Sequence, residues 1–507
     1  MNTRRTRLTF SFILSFFVFS NITHAQNNWD WYISGGTIVD GTGAPAYQAD
    51  ILIRGGHIGY IGAVNADTIR AKHRVDASGK IVSPGFIDVH AHGNPMKTPE
   101  FRNFLAMGVT TIVLGQDGSS PRPGSLNEWF AQVSEANPGV NIAVLSGHGS
   151  IRAKVGVGKT APTVQELRRM ERLLRSDLEA GAFGMSTGLE YVPGLYADEA
   201  ELTYLAKIVG EYDAIVMSHM RSEDNAKIET SLDELAAQGE YAKVHASHLK
   251  VVYGKNAERA DEILSYIDSL RKQVIEFTAD TYPYAASYTG ISIVFPKWAK
   301  TNKGWKNALK ERPAMLRTFL KNKVAKRNGP DAILFGSGEF AGMTLKEAAL
   351  QEGISPVDLL LERGPQFASG AHFVMNQALQ DRIVAGKKVM ISSDGSPTMW
   401  HPRGYGSFAK VIRRYVIEKE TLTIEEAVHK MSGLSAQTLG LEKRGVLKEG
   451  NKADILIFDL SEVRDVATFE EPHQLAEGFD WIMVNGQLAG QNGEFSKERF
   501  GEMLKRN

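Results

Sequence analysis

Eight short apolar runs, each closing on residues poorly suited to a core, constrain this chain more than any other feature. They are "GFIDVHAH" (85–92), "TTIVLGQD" (110–117), "NIAVLSGHG" (141–149), "AFGMSTGLE" (182–190), "AIVMSHM" (214–220), "KVHASHLK" (243–250), "IEFTADTYPY" (275–284) and "KVMISSDG" (388–395). Helix-like segments separate several of them. In "TVQELRRMERLLRSDLEA" (163–180), Leu167, Met170, Leu173, Leu174 and Leu178 recur at helical spacing. Strand runs alternating with helices predict a parallel α/β fold, and eight runs with polar tips predict a (β/α)8 TIM-like barrel, whose strand ends converge on one catalytic face. A long stretch, about 285–387, separates the seventh run from the eighth and reads as an insertion over the barrel mouth.

Both flanks of the predicted barrel (85–435) carry short alternating runs with glycine turns. "WYISGGTIVDGTG" (31–43), "ADILIRGGHIGYIG" (49–62) and "HRVDASGKIVSPG" (73–85) precede it; "RGVLKEGNKADILIFDL" (444–460) and "WIMVNGQLAGQNGEF" (481–495) follow. The simplest arrangement joins 26–84 and 436–507 into one small β-sandwich beside the barrel. At the start, Arg4, Arg5 and Arg7 precede an apolar stretch from Leu8 to Phe19, and Thr23-His24-Ala25 offers a small-residue cleavage site. Residues 1–25 therefore read as a secretory signal peptide, which predicts export, in a bacterium to the periplasm, with no stable membrane anchor after its removal. Lys+Arg and Asp+Glu balance at 58 each, which argues against nucleic acid as a partner. Cysteine is absent, which excludes disulfides, thiolate ligands and a thiol nucleophile.

Histidines mark the chemistry. His90 and His92 flank one alanine at the first strand tip, where residues i and i+2 point to the same face. His219 ends the fifth run, His248 the sixth, and Asp394 the eighth. Neutral imidazoles with carboxylates are the usual ligands of Zn²⁺, and a catalytic zinc keeps one position open for water. An adjacent carboxylate can pass that water's proton to a leaving amine, so the set fits hydrolysis. His245, His372 and His429 read as structural, as lone histidines usually are.

"PGFIDVHAH", "SHMR", "SHLK", "YPY" and "SSDG", flanked by "GTIVDGTG" and "GVLKEGNKADILIFD", resemble the amidohydrolase superfamily, and within it the D-aminoacylases (N-acyl-D-amino-acid deacylases), over roughly residues 31–495. The resemblance implies a zinc-dependent barrel that hydrolyses the amide of N-acyl-D-amino acids, with one or two Zn²⁺ ions. It implies His219 and His248 as firm zinc ligands, His90 and His92 as the pair at a second position, and Asp394 as general base and acid. Lys250, Tyr282 and Arg403 would grip the substrate carboxylate, Arg by its bidentate fork and Lys as a point charge.

One turn departs from the family pattern. Where these deacylases present a cysteine ligand in a "GNCG"-like turn, this chain has "GQDG", with Asp117 as the candidate ligand; the alternative is a plain Asp-Gly turn. The fourth run lacks the lysine that other two-metal branches carboxylate, which argues against hydantoinase-, dihydroorotase- or isoaspartyl-dipeptidase-like chemistry; Glu190 is a substitute carboxylate. His148 in "SGHGSIR" is a candidate hydrogen-bonding partner of the substrate, and Arg221 and Ser396 are further pocket candidates. The rival functions are hydrolysis of D-containing dipeptides, lactones or other carboxylate-bearing amides, and a non-catalytic binding protein. Side-chain preference, acyl preference and oligomeric state are not legible.

Overall fold

Period-two alternation decides how each apolar run is used. In the computed structural model, which describes residues 28–120 and 124–506, the strands Phe86–Asp88, Val109–Leu114 and Asn141–Val144 form one parallel arc. Ser146–Gly147, Gly184–Gly188, Ile215–His219, Lys243–Ala246, Phe277–Thr281 and Val389–Ile391 form a second. The third run belongs to both arcs and joins them through Leu145, whose N–H donates to the Leu114 carbonyl at 3.0 Å. The first and eighth runs meet through a parallel Ala91–Gly395 bridge, with Asp394 N–H donating to the His90 carbonyl (2.8 Å) and His92 N–H to that of Gly395 (2.7 Å). The predicted signal peptide, 1–25, lies outside the described residues.

Side chains of one parity, including Ile87, Val89, Val113, Phe183, Ile215, Met217 and Met390, pack together inside the arcs. Those of the other parity, such as Val216, Val244 and Phe277, join the surrounding helices in the main core. The helix Val164–Ala180 starts at a Thr163/Glu166 capping box and buries Met170, Leu174 and Leu178, so its periodicity and its cap agree on where it begins and which face turns inward.

Both chain ends meet in one nine-stranded sheet, where Ile81–Pro84 pairs antiparallel with Ile455–Phe458. Alternation again sets the two faces: Ile455 and Ile457 pack into the sheet's own core with Trp31 and Ile51, whereas Leu456 and Phe458 face the barrel core. Between the last two barrel strands, the strands Ser287–Gly290, Ile333–Phe335 and Ser369–His372 and several helices build a separate core around Leu316, Leu320, Phe335, Phe340 and Leu359. This inserted unit ends before the helix Gln377–Ala385, whose Leu379, Ile383 and Val384 belong to the main core. Gln380 donates to Thr281 Oγ1 (2.6 Å) and to the Tyr282 carbonyl (2.8 Å), fixing that helix against the seventh strand.

Candidate metal centre

Parallel register brings the strand tips to one level: Gly188 pairs with His219, Ser218 with Ala246 and Thr281 with Ile391. Three tip residues, Asp117 (φ +55°), His248 (φ +38°) and Asp394 (φ +47°), take left-handed backbone conformations that non-glycine residues rarely adopt. Such strain persists only where surrounding contacts hold it and gathers at functional sites. A close approach supports the second tip: a Cβ on Gly188 would lie 2.1 Å from the Asp117 carbonyl oxygen, so the fourth strand can pass Asp117 only as glycine.

Asp117 stands among four imidazoles. Its Oδ1 lies 3.4 Å from His90 Nε2, 3.3 Å from His248 Nε2 and 3.6 Å from His219 Nδ1, and its Oδ2 lies 3.5 Å from His92 Nε2. Asp394 faces the first pair, 3.1 Å from His92 Nε2 and 3.7 Å from His90 Nε2. Two clusters share Asp117: His90, His92, Asp117 and Asp394 in one, Asp117, His219 and His248 in the other, each with its donor atoms within 4.8 Å of one another. His90 has both ring nitrogens buried without a hydrogen-bond partner. Buried polar atoms are almost always satisfied, so these orphaned nitrogens fit a bound cation. Asp117 acts here as the member common to both clusters, and the plain-turn alternative loses ground, although its φ and that of Gly118 also satisfy a turn.

The field at the site is strongly negative. Burial pushes His248 down, but Glu223, Asp394 and Asp117 outweigh it and raise its pKa to about 10. Burial likewise opposes, and the carboxylates overcome, in raising His219 and His92. Burial would raise Asp394, yet the Arg403 guanidinium 2.9 Å away, with His248 and His92, holds it well below the usual carboxylate range. A proton and a metal ion compete for the same imidazole lone pair, so a field that draws protons also draws cations.

Outer carboxylates orient the ligands. Glu190 Oε2 lies 3.5 Å from His219 Nε2, and Glu223 Oε1 lies 3.0 Å from His248 Nδ1, the arrangement that fixes a ligating histidine's ring and tautomer. Glu190, a substitute-carboxylate candidate from the sequence, sits on the far nitrogen of His219 from Asp117. Asp280 accepts from His248 N–H at 3.0 Å and pairs with His245 Nε2 at 2.6 Å, so His245 is structural as expected. His429 Nδ1 meets the Gly41 carbonyl at 2.9 Å, and His372 is buried in the inserted unit. Asp88, beneath His90, is pushed up to about 7 by burial while the Ser393 hydroxyl and N–H oppose the shift.

The clusters open into a cavity of about 420 Å³, within the usual size of a small-ligand site. Lys250, Arg403 and Ser396 line it. Lys250 Nζ donates to Glu223 at 2.5 Å. Tyr282 departs from the expectation: it is fully buried, its hydroxyl lies 3.9 Å from Met375 Sδ, and its ring supports Arg403 (4.7 Å) and Lys250 (5.9 Å) from behind. It positions the two cations rather than reaching into the cavity. His148 is a clearer departure. It is fully buried, with Nε2 2.7 Å from Glu201 Oε1, and Arg152 pairs with the same carboxylate, so it serves a buried ion network. His148→Ala is expected to lower stability by about 1–3 kcal/mol through the under-satisfied Glu201 and to leave KM within a factor of two or so, measured by thermal melts and steady-state kinetics. Arg221 is also away from the cavity, held by Glu234 and by the Leu195 and Ala197 carbonyls. Sequence reasoning missed Glu223, Tyr191 and Arg327, all of which line the cavity; the Tyr191 ring packs against that of His219, tilted by 47° at 4.5 Å. A larger cavity, about 620 Å³, is lined by Lys243, Arg444 and Arg506 among others and by no histidine.

Barrel, clusters and cavity together define a metal-centred hydrolase of the strand-tip type. Residues 74–272 and 342–489 match the amidohydrolase family profile. The chain is 34% identical to an N-acyl-D-glutamate deacylase of Alcaligenes xylosoxydans xylosoxydans over 91% of its own length and 93% of the relative's. Its fold matches that of N-acyl-D-glutamate deacylase from Bordetella bronchiseptica, complexed with zinc and a phosphonate mimic of the tetrahedral intermediate, with a TM-score of 0.83, 33% identity, and 94% and 100% of the two chains covered. A D-aminoacylase with a binuclear metal center matches with a TM-score of 0.83 at 30% identity, again over 94% and 100%. The chain belongs to the amidohydrolase family.

Proposed function

We propose that this protein hydrolyses the amide bond of N-acyl-D-amino acids with zinc, releasing a carboxylate and a free D-amino acid. The observation that carries it is the pair of clusters sharing Asp117, opening beside Lys250 and Arg403 in one ligand-sized cavity. His219, His248 and Asp117 would hold one ion, and His90, His92, Asp117 and Asp394 a second. The relatives' zinc and binuclear centre support that capacity. Bound there, zinc supplies a Lewis acid and lowers the pKa of water at the site.

The chain's own groups do the rest. Asp394, ionised under the influence of Arg403, accepts a proton from water and hands it to the amide nitrogen as the C–N bond breaks. Lys250 and Arg403 bind the substrate carboxylate and so fix the acyl group over the strand tips. The inserted unit contributes Ser287, Tyr288 and Ile293 to the cavity wall. The basic, apolar start of the sequence supports export, and a bacterial periplasm is the compartment we assign. The described residues include no helix long and apolar enough to cross a membrane.

The test is metal content of the purified protein, paired with amine release from N-acetyl-D- and N-acetyl-L-amino acids, D-containing dipeptides and lactones. The expected result is bound zinc with D-selective release from the N-acetyl series. Faster turnover of dipeptides or lactones would move the substrate elsewhere, and a protein without metal or turnover would overturn the enzyme reading.

A further inference from the structure

The inserted unit brings to the cavity a cation that pairs with no carboxylate among the described residues. Arg327 follows the helix Pro313–Lys326, is 4% exposed and lines the same cavity as the metal clusters. Its Nε is buried without a hydrogen-bond partner, and its Nη1 donates only to the Tyr253 hydroxyl, at a long 3.4 Å. Among the described residues no carboxylate pairs with it. The other charged groups of the lining are spoken for: Lys250 by Glu223, Arg403 by Asp394, and Asp224 by Lys326 at 2.9 Å. An arginine so buried is almost always paired, because desolvating its charge without a partner costs several kcal/mol.

Three hydroxyls of the inserted unit line the cavity with it. Tyr288 Oη lies 2.8 Å from Ser369 Oγ, and Ser369 Oγ lies 3.1 Å from Ser337 Oγ. Hydroxyl hydrogens rotate, so this chain of three can turn donors toward an anion. Lys323 and Lys300 stand close enough to Arg327 for each to feel its charge or that of the same neighbours, and burial, Arg327 among the further causes, lowers both lysines. Glu190 and Asp224 also act on these lysines, but neither pairs with Arg327, so the cavity wall holds one unpaired guanidinium and three hydroxyl donors besides Lys250 and Arg403.

Resting on the deacylase reading, we propose that Arg327, with the Tyr288, Ser337 and Ser369 hydroxyls, forms a second carboxylate site that receives the substrate's side chain, so that the preferred substrate is an N-acyl-D-amino acid with an acidic side chain. In that reading Lys250 and Arg403 take the substrate's α-carboxylate, and Arg327 its side-chain carboxylate. A bidentate arginine is the group best matched to a carboxylate, and a site built to bind one discriminates strongly against a neutral isostere.

The experiment compares kcat/KM for N-acetyl-D-glutamate and its neutral isostere N-acetyl-D-glutamine, with N-acetyl-D-methionine as a third substrate, in the wild-type protein, R327M and R327K. The wild type is expected to favour D-glutamate over D-glutamine by about 100-fold, R327M to lower that ratio about 100-fold, and R327K to lower it about 10-fold. Turnover of N-acetyl-D-glutamine and N-acetyl-D-methionine by the same preparations, with zinc content, reports that each variant is folded. A wild type that cleaves D-glutamine or D-methionine as well as D-glutamate overturns the second site while leaving the deacylase reading standing. Equal losses on all three substrates in R327M would put Arg327 on the common carboxylate and also overturn it. A wild type that releases amine from none of them removes the reading on which it rests.

Discussion

Asp394→Asn lowers kcat by about 10²–10⁴-fold, the range expected for loss of a general base and acid, with zinc content nearly intact. Asp394 is one of four groups in its cluster, so its loss leaves three there and the other cluster whole. Asp394 contacts only one of the clusters, through His92 and His90, whereas Asp117 and the four imidazoles remain to hold metal. Asparagine is nearly isosteric and tolerates the left-handed φ of +47° that the eighth strand tip imposes, so the backbone bonds to His90 and the first strand survive. What is lost is the basic oxygen beside Arg403. Metal analysis and kcat on an N-acetyl-D-amino acid check this together: turnover within about tenfold of wild type would send the proton to another group, and a large loss of zinc would make Asp394 chiefly a ligand.

The same tip residues show why so much of the site could be read from the sequence. His90, His92, Asp117, His219, His248 and Asp394 each close an apolar run, and in a parallel barrel the end of a strand is a fixed place, so local pattern carries spatial meaning. Residues beyond the tips obey no such rule. Glu223 lies four residues past His219 in the loop before the helix Ile228–Gln238, and only the fold sets it against Lys250 and His248. Arg327 is more remote, since it follows the helix Pro313–Lys326 of the inserted unit, whose placement over the barrel has no periodic trace in the sequence. An acidic residue soon after a strand-tip histidine is the one signal that would have found Glu223. His148 misled for the opposite reason: it does follow a strand, but it begins the helix His148–Val155, which turns its ring toward Glu201 rather than the cavity. Tyr282 shares its parity with Asp280, and both are fully buried, Asp280 beneath His248 and Tyr282 beneath Lys250 and Arg403.

Asp117→Asn and Asp117→Ala are each expected to weaken zinc binding by more than about 100-fold, a loss beyond that of removing an outer orienting group. Without the carboxylate, His219 and His248 become a two-nitrogen site, and His90 and His92 keep only Asp394. Neutral asparagine permits the φ of +55° at the second tip, so the two variants divide the roles that one residue combines. If Asp117 mattered only as a turn, Asn would retain metal and Ala would lose it along with stability; if it is a ligand, Asn and Ala lose metal alike while Asn keeps the melting temperature of the metal-free wild type. Asp117→Cys completes the argument, because a thiolate restores an anionic donor at the same tip and is a favoured zinc ligand. Restored zinc stoichiometry in that variant, measured by titration against a chelator, would establish that the position calls for an anionic donor, with the turn geometry as the means of presenting it.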